Sequence, residues 1–287
     1  MELFKDFPII LDGATGTNLQ KAGMPLTACT EQWVLENPQP LIDLQKAYKA
    51  AGSRAFCAPT FGCSRVNFQR HKLSLDVSDS VRRLVDISRG AIGHDCILMG
   101  DIGPTGLMLE PYGDVSFEEC VDVFLEPASA LAETDVDCIL IETQVSYAEA
   151  KAAFTAARQA CGDRKPIIVS FSCNKDGRTL WGDDLTECLE ELQDMGASAF
   201  GVNCFDDLDA LTNIMAELKE VAGIPLLAKP NAGLPRTVDG RFVYDMSPET
   251  MAAYVPRLLE SGAGLIGGCC GTTPEHIAAI RSAIENA

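Results

Sequence analysis

Three cysteines have the residue type and the positions to hold a soft metal ion. Cys269 and Cys270 are adjacent, with glycines on both sides, in the stretch LIGGCCGTTPEH (265–276), and Cys204 ends an earlier apolar run. Adjacent side chains on a regular strand point to opposite faces, but flanking glycines let the backbone turn so that both thiols aim at one point. Three thiolates favour zinc or another soft metal, and three protein ligands leave a fourth position for a substrate.

This kind of site predicts a substrate that is itself a thiol. A zinc ion lowers the pKa of a bound thiol, as it does that of bound water, and holds it as a thiolate near neutral pH. A thiolate is a good nucleophile toward an activated methyl group. Because the metal favours deprotonation, we expect the substrate thiolate on zinc to be the catalytic group, with no separate protein base.

Alternating strands and helices must bring these cysteines together. Eight short runs are apolar almost throughout, as strands buried on both faces must be. These predicted strands are residues 7–12, 53–60, 96–103, 137–143, 166–172, 199–204, 224–231 and 263–270. Amphipathic patterns typical of helices lie between and after them, at residues 40–52, 78–93, 116–134, 146–161, 185–195, 206–222, 247–262 and 272–287.

Eight strands alternating with eight helices predict an α/β fold with a parallel sheet. A chain of 287 residues has the right length for a (β/α)8 TIM barrel, and we expect one domain over residues 1–287. An open doubly wound sheet is the alternative, and the count of eight argues against it. In such barrels the functional residues lie at the carboxyl ends of the strands. The polar or reactive residues at the predicted ends are Asp12, Thr60, Asp101, Glu142, Ser172, Cys204, Asn231, Cys269 and Cys270.

A barrel would bring the three cysteines within reach of one ion. Adjacent strands are about 4.8 Å apart, so the sixth and eighth strands are separated by roughly 10 Å. A cysteine side chain with a Zn–S bond of about 2.3 Å spans half of that distance from each side. Cys204 therefore meets Cys269 and Cys270 at a shared metal only if the barrel is correct.

The residue types alone leave a structural role open for each of these groups. The cysteine pair is compatible with buried packing or with a strained vicinal disulfide. Asp12 suits a turn, Glu142 an ion pair at the barrel end, and Asn231 a loop. A glycine-rich turn before a helix N-terminus also suits a phosphorylated substrate in a metal-free barrel enzyme. The lack of a nearby strand-end lysine at that turn and the negative charge argue against phosphate.

Composition and charge exclude several classes of protein. The net charge of −18 excludes a nucleic-acid binder and disfavours anionic membrane surfaces. No stretch approaches the roughly 20 apolar residues of a membrane span, and the first residues, MELFKDFPII, lack the features of a signal peptide. Twelve cysteines without C-x-x-C pairs predict reduced thiols in a cytoplasmic protein, and most of them, Cys57 included, are expected to pack as small core residues.

Seven motifs in order along the chain resemble those of the homocysteine S-methyltransferase domain. They are DGATGTNL near the start, GDIGPTG (100–106), IET (141–143), GVNC (201–204), KPNAGLP (229–235), YDMSPE (244–249) and IGGCCGTTPEHI (266–277). The sequence looks closest to the homocysteine-binding barrel of cobalamin-dependent methionine synthase, and the resemblance covers essentially the whole chain. It implies a zinc enzyme that methylates homocysteine to methionine.

The resemblance also implies a role for individual residues at the metal. Cys204 of the GVNC motif and the pair Cys269 and Cys270 would bind zinc. Asn231 of the PNAG stretch would complete the zinc shell in the substrate-free form and would be displaced by homocysteine.

Substrate contacts follow from the resemblance in the same way. Asp12 and Glu142 would hold the amino group of homocysteine, and the backbone N–H groups of Gly13 and Ala14 would receive its carboxylate. Two carboxylates suit an ammonium group, because charge-assisted hydrogen bonds are the strong ones.

The identity of the methyl donor is the least constrained part of this expectation. After the second strand the family's usual TNTFGAN reads APTFGCS, with Pro59 and Ser64 in place of asparagines and Cys63 in place of alanine. We expect methylcobalamin on a partner corrinoid protein or domain. Small donors such as S-methylmethionine, S-adenosylmethionine or betaine are the alternative, and a non-catalytic zinc-storing subunit of a corrinoid complex is a third. The chain is either a fragment of a larger synthase or works with a donor held elsewhere.

Overall fold

Eight parallel strands form a closed barrel in the computed structural model, which describes residues 7–238 and 241–287. The barrel strands are β1 (Ile9–Ile10), β2 (Ala55–Cys57), β3 (Ile97–Ile102), β4 (Cys138–Gln144), β5 (Ile167–Phe171), β6 (Ala199–Asn203), β7 (Leu226–Lys229) and β10 (Ala263–Ile266). They pair in the order β1-β10-β7-β6-β5-β4-β3-β2. A bridge between Leu11 and Ala55, with the Arg54 N–H donating to the Ile10 carbonyl at 2.7 Å, joins the first strand to the second and closes the barrel. The predicted TIM barrel is confirmed.

Helices surround the barrel and alternate with its strands. They are α1 (Gly16–Lys21), α2 (Thr30–Glu36), α3 (Pro38–Ala51), α4 (Arg65–Arg70), α5 (Val77–Ile92), α6 (Phe117–Ala132), α7 (Tyr147–Cys161), α8 (Leu185–Asp194), α9 (Leu208–Val221), α10 (Pro248–Ala252), α11 (Val255–Glu260) and α12 (Pro274–Glu285). All eight predicted helical segments are present. The predicted segment 247–262 is divided into α10 and α11, because Pro256 near the start of α11 has no N–H to continue a helix.

Local sequence signals explain where several helices begin. The Ser116 and Glu119 side chains form a reciprocal capping box at the start of α6. Asp76 and Asp184 accept hydrogen bonds from backbone N–H groups in the first turns of α5 and α8. These caps fix the loops that lead from the carboxyl ends of the strands, where the candidate site lies.

Two apolar clusters hold the barrel together. The smaller one joins residues from the barrel strands, including Met99, Leu140, Ile168, Leu227 and Leu265. The larger one joins buried residues of the strands to those of the helices. Burial on both faces explains why the strands are apolar almost throughout, with the charged residues confined to their carboxyl ends.

A short hairpin after β7 was not predicted from the sequence. Strands β8 (Arg236–Val238) and β9 (Arg241–Val243) pair antiparallel, and residues 239–240 lie outside the described residues. Among the described residues, no helix has the length and apolar character needed to cross a membrane.

Candidate metal centre and substrate cavity

The three predicted metal-binding cysteines lie together, and we call them the sulfur cluster (Cys204, Cys269 and Cys270). Their Sγ atoms all lie within 4.8 Å of one another, and the Sγ atoms of Cys204 and Cys270 are 3.8 Å apart. Thiolates that share one tetrahedral zinc ion at about 2.3 Å lie roughly 3.8 Å apart. All three are free thiols, so the alternative of a vicinal disulfide does not hold. The donor set fits a zinc ion.

Irregular backbone at the strand ends aims these thiols. Cys204 follows β6 directly and has a left-handed φ of 57°, which turns its side chain out of the strand's alternation. The Cys269 N–H donates to the Pro230 carbonyl at 2.7 Å. Gly268 packs against Thr272 so closely that a Cβ would lie 2.4 Å from the Thr272 hydroxyl oxygen. Glycine beside the cysteine pair is therefore required by close approach.

The side chain of Asn203 contacts the sulfur cluster at Cys269. Its Nδ2 donates to the Thr143 hydroxyl at 2.7 Å and lies 3.8 Å from the Cys269 Sγ. Its Oδ1 accepts from the Thr143 N–H at 3.0 Å and from the Ser170 hydroxyl at 2.9 Å. Asn203 stands within the GVNC motif, but no role was predicted for it from the sequence. Its full set of hydrogen bonds fixes the Nδ2 donor beside the metal-binding sulfur.

Hydrogen bonds among the thiols polarise the sulfur cluster. Hydrogen bonds from Cys204 and Cys269 lower the pKa of Cys270 to about 3, against the opposing effect of burial. Hydrogen bonds with the same two neighbours raise the pKa of the Cys204 thiol. The thiolate form of Cys270 is therefore favoured, which suits a cation site.

Asn231, the predicted ligand of the substrate-free form, lies buried in the loop after β7. Its N–H donates to the Phe205 carbonyl at 2.8 Å. Its side-chain Oδ1 is buried and has no hydrogen-bond partner among the described residues. An unsatisfied buried oxygen at this position is compatible with an intermittent metal ligand, and the assignment stays a prediction.

A cavity of about 440 Å³ adjoins the sulfur cluster at the carboxyl ends of the strands. This volume suits a small molecule. Its polar wall includes Asp101, Glu142 and Lys229, and the aromatic residues Phe61 and Phe242 also border it. The cavity therefore joins the thiols to charged groups on other strands.

Charged and thiol side chains from five strand ends meet beside this cavity, and we call them the charged cluster (Asp12, Cys57, Asp101, Glu142 and Lys229). The Lys229 Nζ lies 2.5 Å from a Glu142 oxygen, 3.4 Å from the Cys57 Sγ and 4.0 Å from the Asp12 Oδ1. Cys57, Asp101 and Glu142 also bring possible ligand atoms within 4.8 Å of one another. The Lys229 ammonium contacts both Glu142 and Cys57, so it supplies the positive charge of this cluster.

Burial makes the carboxyl groups of the charged cluster hard to ionise. Desolvation raises the pKa of Asp12 to about 6, although Lys229 opposes the shift. Desolvation also raises the pKa of Glu142, and it raises that of Asp101 still further with the help of the Glu142 charge. The Lys229 ammonium is therefore the group that favours their ionised forms.

The sequence does not predict Lys229 as a site residue, and the argument against phosphate assumes that no strand-end lysine lies near the glycine-rich turn. Lys229 is the last residue of β7, adjacent to β10, so that part of the argument against phosphate was wrong. The ammonium is nevertheless in contact with Glu142 and does not pair with the glycine-rich turn. A lysine inside the apolar run IPLLAKPN was the available signal, because a charge within a buried strand needs a partner.

The loop after β1 borders the cavity, and one of its donors is already engaged. The Ala14 N–H donates to the Thr272 hydroxyl at 3.0 Å, so a substrate carboxylate would share this donor. Gly13 packs against Tyr48, where a Cβ would lie 2.6 Å from the phenol oxygen. Asp12 accepts from the Cys57 N–H at 2.9 Å through Oδ2. Asp12 is not among the described residues that line the cavity.

The remaining predicted strand-end residues, and Cys63 and Ser64 of the stretch after β2, have structural roles. The Thr60 hydroxyl donates to the Asp101 carbonyl at 2.8 Å and accepts from the Asp101 N–H at 3.0 Å, which fixes that residue's backbone. The Ser172 N–H donates to the Gln144 carbonyl at 2.9 Å. Cys63 is buried, and Ser64 caps α4.

One protein family and two known proteins match nearly the whole chain. The sequence profile described as homocysteine S-methyltransferase matches residues 9–284. Methionine synthases of Mycobacterium leprae and Mycobacterium tuberculosis are each 29% identical to it, over 95% and 96% of this chain. The chain spans 24% of the length of each of these two relatives.

Solved structures share the fold. The homocysteine methyltransferase MmuM from Escherichia coli, in a metallated form, superposes with a TM-score of 0.82 at 24% identity over 98% of both chains. A methyltransferase from Methanosarcina mazei superposes with a TM-score of 0.59 at 15% identity over 98% of this chain and 94% of that one. At these identities the likeness establishes the barrel fold alone.

Proposed function

Since this chain belongs to the homocysteine S-methyltransferase family of enzymes, we propose that it methylates the thiolate of homocysteine at a zinc ion and so produces methionine. The observation that carries the proposal is the sulfur cluster, whose three Sγ atoms lie within 4.8 Å of one another beside a cavity of about 440 Å³. That arrangement provides three soft ligands and space for a small thiol next to them. Three reduced thiols also favour the cytoplasm as the site of action.

Each group in the chain has a distinct task in this reaction. The sulfur cluster would hold zinc, which when bound supplies a Lewis acid that favours the thiolate form of the substrate sulfur. Asn203 keeps the Cys269 sulfur in place, and Asn231 would ligate the metal before the substrate enters. The charged cluster, with Glu142 and Asp12, would receive the substrate ammonium, and the loop at Gly13 and Ala14 would receive its carboxylate. With the acceptor sulfur held as a thiolate, no protein base is needed.

We propose methylcobalamin on a partner corrinoid protein or domain as the methyl donor. Support comes from the similarity to the methionine synthases, of which this chain matches one segment. A small sulfonium or betaine donor is the alternative, because the cavity of about 440 Å³ has room for a small molecule beside the acceptor. Phe61 and Phe242 border the cavity and would contact either donor.

A donor panel tests the reaction and the donor together. Zinc-loaded protein and homocysteine are incubated with free methylcobalamin, S-methylmethionine, S-adenosylmethionine or betaine, and methionine is measured by mass spectrometry. We expect methionine with methylcobalamin at a rate above that of the three small donors. Faster turnover with a small donor would contradict the donor assignment. Absence of methionine with all four, and also with a methylated corrinoid protein, would contradict the function.

Metal analysis tests the cofactor independently of turnover. We expect one zinc per chain by plasma mass spectrometry after dialysis against trace zinc. A chain that retains no zinc but is folded by circular dichroism would contradict the proposed site.

A further inference from the structure

His276 lies at the start of α12 and takes no part in the proposed reaction. It belongs to the same motif as the cysteine pair, IGGCCGTTPEHI, and it is buried, at 6% exposure. Thr273 is the N-cap of α12, and His276 is the third residue of the helix. A buried imidazole needs hydrogen-bond partners, and those partners identify what it holds in place.

The partners of His276 fix the position of its ring proton. The Thr273 N–H lies 3.2 Å from Nδ1, and the Met246 carbonyl oxygen lies 2.9 Å from Nε2. A backbone N–H only donates and a backbone carbonyl only accepts, so Nδ1 is the acceptor and Nε2 carries the proton. The Nδ1 bond is the return half of a capping box, which serves the helix alone. The Nε2 bond joins the helix to a different segment of the chain.

Met246 connects His276 to the metal centre through two more backbone hydrogen bonds. The Met246 N–H donates to the Ala232 carbonyl at 3.0 Å, and the Ala232 N–H donates to the Cys270 carbonyl at 2.9 Å. Ala232 directly follows Asn231, the predicted ligand of the substrate-free form. We call this hydrogen-bonded series the tether (His276, Met246, Ala232 and Cys270).

Tyr244, two residues before Met246, lies against the cysteine pair. It packs on Gly271 so closely that a Cβ there would lie 2.2 Å from the Tyr244 Cγ. Tyr244 also borders the cavity beside the sulfur cluster. The hydrogen bonds among the thiols and a further one from the Tyr244 phenol lower the pKa of Cys270. The phenol therefore contacts a metal-binding sulfur.

The chain on either side of Tyr244 shows why a tether is needed. Strand β9 precedes it, and Phe242 and Val243 of that strand are 60% and 43% exposed. Helix α10 begins only at Pro248. Because an exposed hairpin has little packing to hold it, the two backbone hydrogen bonds of Met246 anchor this segment.

Building on the proposed zinc site, we infer that His276 is a positioning residue for the metal centre, because its Nε2–H holds Met246 and thereby keeps Tyr244 against the cysteine pair. Three thiolates exceed the charge of one zinc ion, so a phenol that donates to one of them stabilises the loaded site. Contacts to metal ligands of this kind tune metal affinity. His276 is not among the described residues that line the cavity, so it acts through Met246 and Tyr244.

Two variants of position 276 that differ in one donor test the inference without turnover. The Gln side chain of His276→Gln keeps an acceptor for the Thr273 N–H and a donor for the Met246 carbonyl, whereas His276→Glu keeps the acceptor alone. We expect zinc affinity, measured by competition with a chromogenic chelator, to fall about 10-fold in His276→Glu and to stay within about 3-fold of wild type in His276→Gln. His94→Glu is the matched control, the same exchange at a side chain that is 80% exposed before β3, and should bind zinc as wild type does.

A double-mutant cycle with Tyr244→Phe tests whether His276 acts through the phenol. Tyr244→Phe removes the hydroxyl and keeps the ring on Gly271, and we expect zinc affinity to fall about 10-fold. In the His276→Glu background we expect the same exchange to lower zinc affinity by less than about 3-fold, because the phenol is already displaced. Circular dichroism verifies the fold of each variant. His276→Met, which lacks the donor and adds no charge, replaces His276→Glu if that protein does not fold.

The outcomes distinguish this inference from the proposed function. Zinc affinity in His276→Glu equal to that of wild type, or equally weak in His276→Gln, would overturn the inference, since the Nε2 donor would then not matter. Independent effects of the two exchanges in the cycle would also overturn it, because His276 would not act through Tyr244. In all these cases a wild-type protein that binds zinc leaves the proposed function intact, whereas wild-type protein that binds no zinc would overturn both.

Discussion

The sulfur cluster and the charged cluster lie at the same end of the barrel, yet different parts of the backbone position them. The cysteines follow β6 and β10, where a left-handed residue and close-packed glycines redirect the chain. Most of the charged residues stand within or at the last position of regular strands, so strand register places them. The cysteines are partly exposed, whereas the charged groups are buried. The first region is suited to exchange ligands, and the second to hold charges fixed.

The comparison predicts that losing one thiol has the largest effect on function. In Cys204→Ala two cysteines remain, which is too few for a stable zinc site of this type. We expect the bound zinc to be lost and the rate of methionine formation to fall by at least about 1,000-fold, as an essential group would cause. Plasma mass spectrometry and a methionine assay measure the two effects.

A matched control for this variant is Cys96→Ala. Cys96 is buried directly before β3, at the opposite end of the barrel from the sulfur cluster. We expect it to keep zinc and activity. A Cys204→Ala protein that kept both as well would remove the sulfur cluster from the mechanism.

The charged cluster is predicted to matter more for stability. Lys229→Met leaves Glu142 and Asp12 buried without their cation, and breaking a buried pair by removing one partner costs about 3–5 kcal/mol. We expect a loss of that order in the free energy of unfolding by urea. The double variant Lys229→Met/Glu142→Gln should recover much of it, and a single variant as stable as wild type would show that the ion pair is weak.

Stability should also depend on pH through Asp12. Burial raises its pKa to about 6, above a value of about 3.9 in an unfolded chain. The folded protein binds this proton more tightly, so the contribution of Asp12 to the free energy of unfolding is greatest below pH 4 and falls as the pH rises through 6. The contribution is up to about 3 kcal/mol.

Urea unfolding between pH 4 and 7 measures this contribution. In Asp12→Asn we expect a shallower fall in stability over that range than in wild type. Asp43→Asn, a change at an exposed position on α3, is the control and should leave the slope unchanged. Equal slopes in Asp12→Asn and wild type would mean that Asp12 titrates normally.

The smallest predicted effect on function is that of replacing Asn203, whose side chain contacts Cys269. Asn203→Ala removes the donor beside the Cys269 sulfur and the hydrogen bonds to Thr143. Loss of such an outer contact lowers metal affinity by about 10- to 100-fold. Competition with a chromogenic zinc chelator measures the affinity. Asn286→Ala, a change at the residue that ends α12, leaves the sulfur cluster and its contacts in place and is the comparison.

The sequence predicts the sulfur cluster more fully than the charged cluster, and the reason is physical. The barrel followed from the eight apolar runs, and the sulfur cluster followed from residue type, since adjacent cysteines among glycines are unusual. Lys229 was missed because its partners Glu142 and Asp12 are 87 and 217 residues away in sequence, and only strand order brings them together. The hairpin β8–β9 was missed because its exposed strands carry no buried apolar run.

Zinc K-edge X-ray absorption tests the central claim most directly. We predict that zinc in the substrate-free protein has three sulfur ligands at about 2.3 Å and one oxygen or nitrogen ligand. On addition of homocysteine we predict four sulfur ligands at the same distance. A sulfur count that stays at three with saturating homocysteine, or fewer than three sulfurs at the start, would contradict the account.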